Sequence, residues 1–403
     1  MKRTALLVIS LIGMAALLAA SVPLVAQAGP GSHLYAYPPI RLSNLPQNSS
    51  MPVGILPVQF KAAYGFNQIP NLGQGQTIAI VDALDDPNIE SDLAYYASYF
   101  HLAPCNFQKV KVGNPKPDSG WALEISLDVE QACALAPQAK IILVEANAVT
   151  LDDLFAAVQV ASSAPYNATV ISMSWDLTGE DPSEVQYDHY LCNIVSGNGH
   201  PVTMVNSSGD WGHGATYPAA SPCVLAVGGT VLGLAQATPL PNPLQLNYGA
   251  EIAWEGSSGG VSAYESQMSW QNPACATWST TNRCIPDVAS VAQNIPLYDT
   301  YGSYSGWYSV MGTSISTPDW AAFLTLVNSI RASQGKDTLS QVNYDLYQVY
   351  YSGNYSTDFH DITIGSNGNC GSQCNAGPAY DLVTGIGTFQ AHKLVDALVV
   401  APN

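Results

Sequence analysis

Three apolar segments constrain this chain more than anything else in it. QTIAIVDA (76–83), AKIILVEA (139–146) and ATVISMSW (168–175) each read as a buried strand. Helical patterns lie between them. Asp86-Pro87 offers an N-cap and a first-turn proline for a helix to about residue 100, and residues 120–136 and 151–163 read as two more. FQKVKV adds a short strand. Further strands are expected near 201–206 and 223–228, with helices over roughly 182–195 and from Ser314 to about 332. Strands alternating with helices imply an α/β fold, a mostly parallel twisted sheet covered by helices on both faces. Sites in such sheets form at the carboxyl ends of the strands. Residues 230–310 are rich in Trp, Tyr and Gly and read as loops. No repeat or linker divides the chain.

The N-terminus has a basic start, a long apolar run and Ala26-Gln27-Ala28, the pattern of a secretory signal peptide over residues 1–28. Residues 29–55, rich in Pro, Ser and Gly, read as an irregular lead-in, and 56–403 as one catalytic-sized domain. No later run is long enough to span a bilayer, so no stable membrane association is expected after cleavage. A secreted, extracellular monomer is expected. Eight cysteines in an exported chain suggest disulfides. Cys275–Cys284 and Cys370–Cys374 are close enough in sequence for local bridges. Cys105, Cys133, Cys192 and Cys223 could form two more. Sequons at Asn48, Asn167, Asn206 and Asn354 matter only in a glycosylating host.

Without Lys2 and Arg3 of the signal, ten basic residues face 30 acidic ones, a formal charge of −20. A nucleic-acid partner is not expected, because phosphate binding needs basic patches. In acid the carboxylates neutralise and few cations remain, so self-repulsion stays mild. The balance suits a protein built for low pH.

MGTSISTP (311–318) places Ser314 where a loop turns into a buried helix. A serine hydroxyl needs a base to take its proton. His33, His101, His189, His200, His213, His360 and His392 all read as surface or loop residues, and none follows the first strand in an HGTH-like setting. The helix GWALEISLDVEQACALAP (120–137) offers more. It is apolar on most sides, yet Glu124 and Asp128 stand four apart on one face. Like charges at that spacing destabilise a helix, and burial costs more. They either reach solvent or a basic partner, or form a carboxylate pair whose pKa values are pushed apart. One could then accept the serine proton while the other orients it. Glu130 reads as a solvated helix residue. In NSSGDWGHG, Asp210 sits in a Gly-flanked turn; it is either an Asx turn or, if protonated opposite Ser314, a hydrogen-bond donor to an oxyanion.

These segments together resemble the sedolisin family, the serine-carboxyl peptidases, which have a subtilisin-like fold. Its Glu-x-x-x-Asp helix, SSGD-x-G turn and GTS-x-x-x-P serine occur here in order, with YPAASPCVLAVGGT and RCIPDVA beside them. The resemblance, from about 55 to 400, implies Glu124 as base, Asp128 as its partner, Ser314 as nucleophile and Asp210 as oxyanion residue. It implies a protein or peptide substrate and one Ca²⁺, held by the side chains of Asp361 and Asp381 and the carbonyls of Ile362, Gly377 and Ala379. A cation of that kind takes about six to eight oxygens. Asp82 ends the first strand where subtilisin-like enzymes carry an aspartate, and a hydrogen-bonding role behind the catalytic groups is expected. Family members usually carry a long prosegment that blocks the site, and no such segment is read here. The expected activity is acid hydrolysis of peptide bonds in a window of roughly pH 3–5, from carboxyl reference values near 4. The competing reading is a catalytically idle secreted binding protein on the same fold. A histidine-based hydrolase would need an imidazole beside Ser314.

Overall fold

A computed structural model describes residues 34–236 and 246–402. The signal-peptide reading lies outside them. In chain order the first half carries β1 (Arg41–Leu42), α1 (Pro57–Tyr64), β2 (Thr77–Ala83), α2 (Ile89–Tyr99), β3 (Asn106–Lys111) and α3 (Ser119–Leu135). There follow β4 (Lys140–Ala146), α4 (Leu151–Ser162), β5 (Val170–Met173) and β6 (Thr203–Ser207). The middle contains β7 (Val224–Gln236), β8 (Leu246–Ala253), β9 (Gly260–Ser266), α5 (Asn272–Cys275), β10 (Asn282–Ile285), β11 (Val288–Val291), β12 (Gln293–Asp299) and β13 (Gly306–Met311). Last come α6 (Thr313–Ser333), α7 (Val342–Tyr351), α8 (Tyr355–Asp358), β14 (Phe359–His360), β15 (Thr388–Phe389) and α9 (Ala391–Val400).

The main sheet runs β3-β4-β2-β5-β6-β7-β11-β15, parallel throughout, with β14 antiparallel on β15 and β8 antiparallel on β7. Alternation along β2 explains the two helical layers. Ile78 and Ile80 join the core built with α3 and α6, while Ala79, Val81 and Ala83 join the core built with α4. Successive side chains of a strand point to opposite faces, so both faces need an apolar cover. Four disulfides join Cys105 to Cys133, Cys192 to Cys223, Cys275 to Cys284 and Cys370 to Cys374.

Three regions differ from the expectation. Residues 182–195 hold only a 3₁₀ turn, Glu184–Tyr190. The stretch read as loops contains most of β7, all of β8 to β12 and all but the last residue of β13; apart from β11, which pairs in parallel with β7, these are antiparallel pairings of short, weakly patterned strands. The lead-in is ordered from residue 34: Arg41 pairs with Met311 and Leu42 with Val310, which makes β1 the edge of a sheet with β13 and β12.

Candidate active site

The carboxyl ends of β2, β5 and β6 deliver Asp82, Ser174 and Asp210 to one region, and α3 and α6 bring Glu124, Asp128 and Ser314 to it. Helix α3 starts cleanly because the Asp118 side chain caps the N–H groups of Gly120 and Trp121. It then runs buried on all sides. Glu124 and Asp128 have no exposed surface, and neither carboxyl has a defined hydrogen-bond acceptance or ion pair. Asp82 is equally buried and unpartnered.

Burial first, then the neighbouring Asp128 and Asp82, hold the Glu124 carboxyl well above the ordinary carboxylate range. Asp128 is raised by burial and then by Asp82, against a softening contact with Ser174. Asp82 is raised by burial and then by Glu145. Three carboxyls without a cation cannot all ionise, so they share protons as a unit.

Ser314 is the second residue of α6. Gly312 precedes the helix with φ 151°, a conformation that favours glycine. A Cβ there would lie 2.1 Å from the Pro39 carbonyl oxygen and 3.0 Å from Asp210 Oδ2. Pro318 has no N–H to bond the Ser314 carbonyl, so the first turn is loosened where Ser314 sits. Ser314 lies within reach of Glu124. Its hydroxyl nevertheless donates to the Pro39 carbonyl at 3.0 Å, which leaves Glu124 without that proton bond here.

Asp210 approaches from the other side. Its Oδ1 accepts from the N–H of Thr313 at 2.8 Å and from Thr313 Oγ1 at 3.0 Å, while Oδ2 is buried and free. Burial, opposed by the Thr313 bonds, raises this carboxyl to about 8. A protonated Oδ2 can donate where an oxyanion forms.

One expectation is corrected. Glu130 is not solvated: it is 1% exposed and accepts from the N–H of Tyr298 at 3.0 Å, with burial holding it well above its ordinary value. Histidines among the described residues make their contacts elsewhere. His200 pairs with Asp337, His189 bonds the Gln186 carbonyl, and His360 stacks on Tyr248, its pKa lowered to about 4 by burial. The lead-in contact with Ser314 was missed by sequence reasoning, and Tyr-Pro-Pro, an extended segment unable to form a helix, is the one signal that could have suggested it.

Near the C-terminus one turn ties the two expected cation ligands together. Asp361 Oδ2 accepts from the N–H of Ala379, and Asp381 Oδ2 from the N–H of Gly377, each at 3.0 Å. Asp381 is 3% exposed and raised to about 6 by burial, against several backbone bonds. No ion pair among the described residues involves either aspartate. Two carboxylates tied to one turn by its backbone N–H groups offer oxygen donors, the type a hard cation takes.

The Subtilase family matches residues 123–345, more than half of the chain, and the chain belongs to that family. The relatives it is similar to include two peptidases of known name. Kumamolisin from Bacillus sp. (strain MN-32) is 30% identical over 378 residues, 87% of this chain and 65% of kumamolisin. Sedolisin from Pseudomonas sp. (strain 101) is 26% identical over 370 residues, 84% of this chain and 60% of that protein. The chain thus spans just under two thirds of the length of these curated relatives. The solved structure of Pseudomonas sedolisin, a serine-carboxyl proteinase complexed with pseudo-iodotyrostatin, superposes with a TM-score of 0.70 at 23% identity. That superposition covers 86% of this chain and 98% of the other, and supports the subtilisin-like fold.

Proposed function

We propose that the protein is a secreted serine-carboxyl peptidase that hydrolyses peptide bonds in acid. The observation that carries the reading is the buried, cation-free group Glu124, Asp128 and Asp82 beside Ser314, with the free Oδ2 of Asp210 across from it. Burying three carboxyls without partners costs several kcal/mol, which a purely structural core would avoid. Ser314 Oγ attacks the peptide carbonyl as Glu124 takes its proton. Asp128, and Asp82 behind it, set the orientation and basicity of Glu124. The neutral carboxyl of Asp210 donates to the oxyanion of the tetrahedral intermediate. The proton on Glu124 passes to the leaving amine, and water, deprotonated by Glu124, releases the acyl group from Ser314.

Asp361, Asp381 and the carbonyls of Ile362, Gly377 and Ala379 would hold one calcium ion, which would neutralise the two carboxylates and tie the C-terminal loops. Four disulfides agree with an oxidising compartment. No helix among the described residues is long and apolar enough to cross a membrane.

An acyl-type active-site probe tests the reading. Labelling of Ser314 at acid pH, abolished in Glu124→Ala, is the expected result. Absent labelling at every pH would instead favour an idle binding protein. Labelling that is strong at pH 7.5 and indifferent to Glu124 would assign the base elsewhere.

A further inference from the structure

The disulfide in CGSQC, between β14 and β15, differs from the other three. Its cysteines are 4 apart in sequence, against 28, 31 and 9 for the rest. Of the eight cysteines Cys370 alone is exposed, while both members of Cys275–Cys284 have no exposed surface. A cross-link that closes a short loop removes little freedom from the open chain, so it stabilises least. An exposed disulfide is also the one a thiol can reach. Cys370–Cys374 is therefore the bond that reduction should open first.

A third ligating group stands beside these two. His213, exposed and three residues after Asp210, brings a ring nitrogen to within 4.8 Å of both Sγ atoms. Backbone bonds fix the approach. His213 donates its N–H to the Asn367 carbonyl at 3.1 Å, and Asn367 donates to the Cys374 carbonyl at 2.9 Å. The Asn367 side chain is tied in turn to the Ser257 carbonyl at 2.8 Å, and Ser366 pairs with Asn375 to close the loop. A Cβ on Gly368 would lie 2.8 Å from Cys374 Sγ and 3.5 Å from His213 Cβ, so glycine there keeps the space between sulfur and imidazole open. Two thiolates and an imidazole are zinc-type ligands. Their span is close to what one ion at about 2.0–2.3 Å from each donor permits. Three protein ligands leave a fourth position for water.

We propose that His213, Cys370 and Cys374 form a thiol-gated site for a soft divalent cation of the zinc class. A dithiol supplies two electrons and two protons to the Cys370–Cys374 bond and is itself oxidised to a disulfide. The cation then displaces the two thiol protons to solvent and binds both sulfurs as thiolates, with the neutral His213 ring as third ligand. Two cross-links thus alternate. The disulfide closes the loop only on itself, whereas the metal also ties it to the turn that carries Asp210. Sulfur and imidazole select a different ion from the oxygens of Asp361 and Asp381, so the two sites do not compete.

Two measurements on the full chain at neutral pH test this, with Ca²⁺ in excess throughout. The protein is treated briefly with a dithiol, the reagent is removed, and the new thiols are mapped by alkylation and mass spectrometry. Cys370 and Cys374 should be labelled before any other cysteine. Cd²⁺ is then titrated in, because thiolate-to-cadmium charge transfer gives an ultraviolet band that oxygen ligands do not. The band should be absent before reduction, saturate at a single Cd²⁺ per chain after it, and fade as Zn²⁺ is added. His213→Ala should weaken Cd²⁺ binding at least tenfold, about the least that loss of even an outer partner of a metal ligand costs. Cys370→Ser with Cys374→Ser should abolish the band. An unchanged thermal midpoint of oxidised His213→Ala shows that the comparison is between folded proteins. Earlier reduction of another pair overturns the gating. No band from reduced wild type, or equal affinity in His213→Ala, overturns the site. Neither measurement uses peptide hydrolysis, so the peptidase reading stands or falls separately.

Discussion

Two groups of carboxyls are buried to the same depth and treated in opposite ways. Asp287, which follows β10, has no exposed surface, and Arg283 meets it with two bonds of 2.8 Å and 2.6 Å. The N–H of Ala226 at 2.9 Å and the hydroxyl of Tyr347 at 3.0 Å complete its shell. Burial works to lower the Arg283 pKa, but the charge of Asp287 outweighs it and the guanidinium stays charged. On α3, Glu124 and Asp128 are as deeply buried and have no cation and no formed hydrogen bond, with only the Ser314 and Ser174 hydroxyls nearby. A buried pair with every valence satisfied is rigid and chemically quiet. Buried carboxyls left without partners keep a proton that can be moved. The first arrangement holds the fold, and the second is suited to chemistry.

The comparison breaks most visibly through activity. Ser314→Ala and Glu124→Ala should each lower peptide hydrolysis by roughly 10⁴-fold, as removal of a nucleophile or its base does. Their thermal midpoints should fall by only a few degrees near neutral pH, because Glu124 leaves no buried partner stranded and Ser314 gives up a single hydrogen bond. Collapse of the fold in Glu124→Ala would place that carboxyl with Asp287 rather than apart from it.

Asp287→Ala should do the reverse. It strands a buried guanidinium and should cost about 3–5 kcal/mol. Chemical denaturation would register it, and kcat per folded molecule should hold. A midpoint unchanged from wild type would remove Arg283–Asp287 as the contrasting case.

Asp210 sharpens the contrast by its protonation state. Asp210→Ala should lower kcat by about 10²–10³-fold, the loss of one oxyanion donor. Asp210→Asn should restore part of it, since an amide can sit on the same two Thr313 bonds and donate at any pH. The wild-type profile should be a bell. Glu124 must lose its proton to act, and its raised pKa moves the acid limb above the ordinary carboxylate range. Asp210 must keep its proton, which it loses near 8, so hydrolysis falls as pH rises through that value. Burial thus shifts the window upward from the pH 3–5 expected from reference values. In Asp210→Asn the alkaline limb should disappear. Survival of that limb would assign it to another group.

Stability should follow the same carboxyls. A group whose pKa is raised on folding stabilises below its unfolded value, near 4, and that contribution is lost as pH rises through the folded value. The thermal midpoint should therefore decline above about pH 5, and the double change Glu124→Gln with Asp128→Asn should flatten the decline. The smallest effect belongs to the cation. EDTA should lower the midpoint by a few degrees and Ca²⁺ should restore it by mass action. Indifference to both would leave Asp361 and Asp381 without an ion.

Much of this was legible in the sequence, for identifiable reasons. The apolar runs of β2 and β4 admit no exposed face, so a parallel sheet with two helical layers was forced. Glu124 and Asp128 stood out because the helix around them is apolar on most sides. That uniformity also hid Glu130: without a polar face to measure against, its depth is set by β12, whose Tyr298 N–H it receives. The lead-in hid for a different reason. Its shape is borrowed from Asp176, Ser314 and β13 rather than written in its own hydrophobic pattern. The strands between residues 246 and 311 are likewise short and defined by their partners.

Helix α3 carries one consequence for how the chain matures. Glu124, Asp128 and Glu130 all travel into the interior on that one segment, and each favours the neutral form once inside. Packing the helix is therefore also an uptake of hydrogen ions from the medium. Hydronium acts on this chain as a folding cofactor, bound by the native state and released by the open one. A newly made molecule at neutral pH would hold α3 loosely against α6, and acidification would draw it in.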